Sequence, residues 1–265
     1  MFFVSVLIRN RNEGELLRLV LSRLREQKTN NLEIVVVDND STDRSRDYIR
    51  DFGCRLVELP AGQFTYGRAT NLGVENCSGQ LILMLSSHSL PIGTYFIDEV
   101  TARFTDARVA AVRIPMAANT SEFKNFSQFA PLDGTSTAEE IFRRGPVASG
   151  SVFRRSIWAR HRFDETLIAA EDKEWAMRVL REGSYIMPIA NAAYCYMRSF
   201  EPESWRRKLR REETAGFTAA RICRVPSLKE AVLSTLSAQR DVFRKARTEA
   251  ALYALRRRLY RLRSA

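Results

Sequence analysis

The chain has 265 residues, of which 45% are hydrophobic and 28% charged, a soluble-globular balance too apolar for a disordered protein. The longest interior apolar run, Leu81 to Leu85, falls far short of the roughly 20 residues that span a bilayer. Its net charge of +11 is uneven: residues 201–265 hold 17 Lys/Arg against 7 Asp/Glu, whereas residues 1–200 hold 25 against 24. The composition thus divides the chain into a near-neutral body over 1–200 and a basic extension over 201–265.

The opening MFFVSVLI runs straight into Arg9 with no basic leader and no small-residue cleavage site, so no signal peptide is expected. Four cysteines, Cys54, Cys77, Cys195 and Cys223, are too widely spaced for a zinc site or a disulfide framework. They suit reduced thiols in a cytosolic protein.

FFVSVLI reads as a strand broken at Asn12-Glu13-Gly14, after which Leu16, Leu17, Val20, Leu21 and Leu24 recur at helical spacing. Glu33–Asp38 (EIVVVD) reads as a strand buried on both faces. Ser41 or Thr42 is the expected N-cap of a helix through Ile49 and Phe52. A strand over 55–59, a helix over 67–76 and a strand in QLILML follow. This alternation predicts an α/β protein with a doubly wound, mostly parallel sheet and helices on both faces. Ligands of such sheets sit beyond the carboxyl ends of the strands, where the Asp38 and Ser86 loops fall.

From 116 to 148 the pattern loses its period and predicts an irregular loop or lid. VASGSVFRRSIW restores order, a helix runs from about Asp172 to Glu182 before Gly183, and YIMPIA reads as a strand. Beyond Glu203 the chain reads as helical, interrupted near Pro226.

Three constellations carry chemistry. In VDNDSTD, carboxylates at a strand end stand beside a helix start, suited to a base or ribose with the helix amides toward phosphate. Asp-Asn-Asp-Ser is equally good turn chemistry. In FTYGRATNLG, Arg68 and Asn71 lie three apart and can share a helix face, and the planar fork of Arg68 suits a phosphate. In AEDKEW, acidic residues open a helix; they complement its dipole, and one of them could act as a general base.

Together SVLIRNRNE, EIVVVDNDSTD, FTYGRATNLGVENCSGQLILMLSSHSLP and AEDKEWAMRVLREG, in this order, resemble the family 2 glycosyltransferases of GT-A fold. The resemblance spans about residues 3–200 and is greatest to the bacterial branch that adds rhamnose or related sugars to surface polysaccharides. It implies an inverting transfer from a UDP- or dTDP-sugar to a glycan or lipid-linked glycan. By the same resemblance Asp38 and Asp40 contact the nucleoside, Arg9 and Glu13 line the base and ribose pocket, and Arg68 and Asn71 lie near the diphosphate or metal loop. Asp172 is then the base, with Glu171 supporting it or touching the acceptor.

Two departures matter. His88, in Ser86-Ser87-His88-Ser89, stands where the family carries its metal aspartate. It is open to three readings: a ligand to Mn²⁺ in preference to Mg²⁺, an imidazolium on the diphosphate, or a structural residue in a protein with weakened activity. Near Tyr194–Arg198 a histidine found in many relatives is missing, and Arg198 could supply charge instead. The other histidine, His161, reads as a solvated loop residue. A non-catalytic nucleotide- or glycan-binding module is the alternative function. The basic extension reads either as helices packed on the body or as an interfacial element on the anionic inner face of a membrane. No nucleic-acid-binding motif accompanies its charge.

Overall fold

The computed structural model describes residues 2–117 and 129–197. Expectations for Arg198, for 201–265 and for the middle of the 116–148 segment lie outside them. Strand β1 (Val4–Asn10) pairs in parallel with β2 (Leu32–Asp38) on one side and β4 (Leu81–Ser86) on the other, and β2 pairs with β3 (Arg55–Glu58). The seven-stranded order is β3-β2-β1-β4-β7-β6-β8, with β6 at Val109–Arg113, β7 at Gly150–Arg154 and β8 at Tyr185–Pro188. Only β7 runs antiparallel, to both β4 and β6. Ser89–Pro91 (β5) and Tyr194–Tyr196 (β9) form a separate antiparallel pair.

Alternation along β1 assigns the two faces. Val4, Val6 and Ile8 join Leu17, Val20, Leu21 and Leu24 of α1 (Gly14–Arg25) in the main apolar core. Leu7 points the other way, to α3 (Tyr66–Glu75), where Gly73 approaches so closely that a Cβ there would lie 2.3 Å from a Leu7 methyl. Helices therefore cover both faces, as the hydrophobic pattern predicts.

Some elements differ from expectation. Neither Ser41 nor Thr42 caps α2 (Ser45–Asp51), because the Ser41 hydroxyl is bound to Asp38 and the helix begins at Ser45, whose N–H bonds Asp43. Periodicity gave no sign of α4 (Phe96–Thr101) or β6. The stretch expected to be irregular holds α5 (Ala138–Arg144), opened by a reciprocal capping box between Thr137 and Glu140. Helix α6 (Arg155–Arg160) ends at His161, which is not a solvated loop residue: its ring pairs with Glu182 at 2.8 Å and its carbonyl accepts from Trp175 at 2.7 Å. Helix α7 (Glu171–Arg181) buries Trp175, Val179 and Leu180, and Gly183 closes it at φ 82°.

Candidate active site

The predicted site residues gather at the carboxyl edge of the sheet but divide between its faces. Asn10 and Asp38 are register partners on the α1 face. Asp38 is wholly buried and accepts from Asn10 (2.9 Å), the Ser41 N–H (2.9 Å) and hydroxyl (2.6 Å), and Arg46 (3.1 Å). Burial alone would raise its pKa, but these bonds to the carboxylate outweigh it, and the net shift is downward. Asp38 thus organises the loop from inside. The neighbouring carboxylate, Asp40, is exposed on a left-handed residue (φ 55°), 3.7 Å from Arg46. Arg46 also reaches Glu58 at 3.2 Å. Asn12 (φ 51°) ties the two loops together by accepting from the Thr42 N–H at 2.7 Å.

Arg9 lies on the opposite face of the sheet from Asp38. Its Nη1 is 3.1 Å from the Tyr66 carbonyl, 3.0 Å from the Thr70 hydroxyl and 3.2 Å from Glu171. Asn71 is buried in α3; its amide donates to the Phe163 carbonyl and Glu165, and its oxygen accepts from Trp158 and the Phe163 N–H. It is engaged in joining α3 to Trp158 and the 163–165 loop. Arg68 is exposed in the first turn of α3, 2.8 Å from Gln63, while Thr65 caps that helix.

Glu13 is brought to the loop after β4. Its Oε2 accepts from the Ser87 hydroxyl and lies 2.6 Å from His88 Nδ1. His88 is 7% exposed and meets the Tyr196 ring edge-on at 4.5 Å. A carboxylate behind one ring nitrogen is the usual support of an imidazole that binds a metal through the other. Among the described residues no group of three or more His, Cys, Asp or Glu converges. His88 is thus a single nitrogen donor, and nitrogen ligation in general suits Mn²⁺ better than Mg²⁺.

The first turn of α7 brings the remaining carboxylates. Glu171 is 4% exposed, and burial, with the neighbouring Asp172 charge, raises its pKa against the opposing pull of Arg9. Asp172 is half-buried and accepts from the Ala148 N–H at 3.1 Å. Ala170, just before them, is left-handed at φ 62°. Asn12, Asp40 and Ala170 are the three non-glycine residues with positive φ among those described, and all border this edge. Strain of that kind concentrates at functional sites.

A mostly parallel sheet with Asp38 and Asp40 following one strand, and an acidic helix start tied to another through Arg9, is an arrangement of GT-A type. The profile of glycosyl transferase family 2 matches residues 5–156, and the chain belongs to that family; it is a glycosyltransferase. Among curated relatives it is 22% identical over 213 residues to the O-antigen chain rhamnosyltransferase RfbN of Salmonella typhimurium, covering 75% of this chain and 68% of that one. Among solved structures, the mannosyltransferase PcManGT of Pyrobaculum calidifontis, in complex with GDP-Man and Mn²⁺, shares its fold at a TM-score of 0.61 and 17% identity, over 90% of this chain and 80% of that one. Glucosyl-3-phosphoglycerate synthase of Mycobacterium tuberculosis, in complex with phosphoglyceric acid, aligns at a TM-score of 0.63 and 13% identity, over 86% and 82%.

Proposed function

We propose that the chain is an inverting transferase that moves a sugar, rhamnose or a related one, from a dTDP- or UDP-sugar to a glycan or lipid-linked glycan in surface polysaccharide synthesis. The observation that carries this reading is the start of α7, where Asp172 is accessible and oriented by the Ala148 N–H beside a buried, paired Glu171. The rhamnosyltransferase relative supports the choice of donor class.

In this reading Asp172 takes the proton of the acceptor hydroxyl as that oxygen bonds to C1 of the donor sugar. The bond from C1 to the diphosphate oxygen breaks, its electron pair leaves with the diphosphate, and attack from the opposite side inverts C1. Asp40 addresses the nucleoside and Arg68 the diphosphate, whose developing charge a cation stabilises. His88, oriented by Glu13, would hold a divalent ion, which supplies further positive charge to the leaving diphosphate when bound.

Release of dTDP or UDP from a panel of sugars, dTDP-rhamnose first, tests the reading, with calorimetry of the free nucleotides alongside. Asp172→Asn should lower turnover by about 10²–10⁴-fold, the usual worth of a general base, and leave nucleotide affinity unchanged. Equal turnover in both proteins would remove Asp172 from the role. Nucleotide binding without turnover in the unaltered chain would favour the binding-module alternative.

A further inference from the structure

We propose that Arg9 and Glu171 are a buried positioning pair that sets the general base, and that Arg9 acts through Glu171 instead of contacting the donor. The inference rests on Asp172 being the base. Three consecutive residues at the start of α7 are tethered, Glu171 to the sheet and Asp172 and Lys173 to the 145–148 segment. Glu171 is held by Arg9, itself on β1 and bonded to α3 through Tyr66 and Thr70. Asp172 is held by the Ala148 N–H. Lys173, buried, donates to the Gly145 and Pro146 carbonyls at 2.9 and 2.6 Å.

These ties fix both the rotation and the height of the helix start, and therefore the direction of Asp172. Ala170 is the point of strain. The left-handed region disfavours a non-glycine residue, which persists there where its surroundings over-determine it. The Arg9–Glu171 pair supplies one of those constraints from the sheet itself, with side chains only 16% and 6% exposed. The Arg9 guanidinium also lies over the Tyr66 ring, 5.0 Å from its centroid, which fixes the cation from a third side. Burial and the Asp172 charge both disfavour an ionised Glu171, and Arg9 is the cation that opposes them. Without it, the carboxyl would lose its anchor and a cation that favours its ionised form.

A double-mutant cycle on kcat separates this role from donor binding. The proteins are Arg9→Gln, Glu171→Gln and the double variant, with Arg9→Lys as the rescue, since contact through one nitrogen can be replaced by an ammonium. The assay uses dTDP-rhamnose, or whichever sugar of the panel turns over, and free dTDP in the calorimeter. Each single variant should lower kcat about 10–100-fold, the cost of a displaced catalytic group. The double should be no worse than the poorer single, Arg9→Lys should recover most of the loss, and donor KM and dTDP affinity should stay within about two-fold.

Multiplicative losses in the double, or a loss of dTDP affinity or a raised donor KM with kcat intact, would overturn the pair and place Arg9 in the donor pocket. If the double does not fold, the near-isosteric Glu171→Gln and the Arg9→Lys rescue still decide: intact dTDP affinity with a lowered, rescuable kcat supports the pair, and lost affinity refutes it. Unchanged turnover in Asp172→Asn would instead defeat the base assignment, a result distinguishable from failure of the cycle.

Discussion

Asp38 has no exposed surface, yet its carboxylate is held in the charged form by four hydrogen bonds. Asn in its place would present an amide to the donors it now accepts from, at a cost on the order of 3 kcal/mol. The pH dependence has a definite sign. A carboxyl whose folded pKa is depressed contributes stability above its unfolded value near 3.9, and that stability is lost as pH falls through the folded value. Denaturant melts of the unaltered chain should therefore weaken from pH 5 downward, and Asp38→Asn should flatten that decline while lowering stability at pH 7. An unaltered acid limb in the variant would show that the carboxylate is not what stabilises the loop. Residue types at the sheet edge were legible in the sequence, but their directions were only partly so. Strand alternation sends Arg9 and Asp38 to opposite faces, a consequence of the β1–β2 register, which the sequence does not state. Asn71 reads as a polar ligand three residues after Arg68. Its role in binding Trp158 and the 163–165 loop depends on contacts across 87 and 92 positions that no local pattern announces.

Elements with a strong period and a bounding turn were legible: β1, α1, β2, α3, β4 and α7 fall close to their expected limits. Short ones were not. The six-residue α4 and the three-residue β5 and β9 are too brief to show a period, and β9 exists because β5 pairs with it. Helix α5 did leave a local sign, Thr137-x-x-Glu140, in a segment whose composition otherwise suggests a loop. The antiparallel β7 links element to site. A Cβ on Gly150 would stand 2.0 Å from a Tyr194 ring carbon, and that ring is buried with its hydroxyl 3.0 Å from Ser149. Gly150→Ala must displace the ring or the strand, with a cost of about 2 kcal/mol and a Tm lowered by roughly 4–8 °C. Ser149 adjoins Ala148, whose N–H orients Asp172, so turnover should fall further than the loss of folded protein explains. A variant with unchanged Tm would mean that the ring has room to move.

At the scale of the whole molecule, charge and catalysis are segregated. Residues 1–200 are balanced to within one charge, whereas 201–265 carry a net +10. Among the described residues no helix is long and apolar enough to cross a membrane. A lipid-linked acceptor would nevertheless bring the reaction to a surface, and an anionic bilayer attracts each nearby Lys or Arg by roughly 1 kcal/mol within a screening length of about 10 Å at 0.1 M salt. The full chain should therefore sediment with phosphatidylglycerol vesicles at 0.05 M salt, release progressively as salt rises toward about 0.5 M, and ignore phosphatidylcholine vesicles at every salt concentration. Retention at high salt would point to burial of apolar surface in the bilayer rather than to charge. No sedimentation at low salt would remove the membrane from the account and leave the extension to pack on protein. Vesicle composition and salt thus separate an electrostatic anchor from a structural one without altering the chain, while turnover measured in the same tubes reports whether the surface is where transfer proceeds.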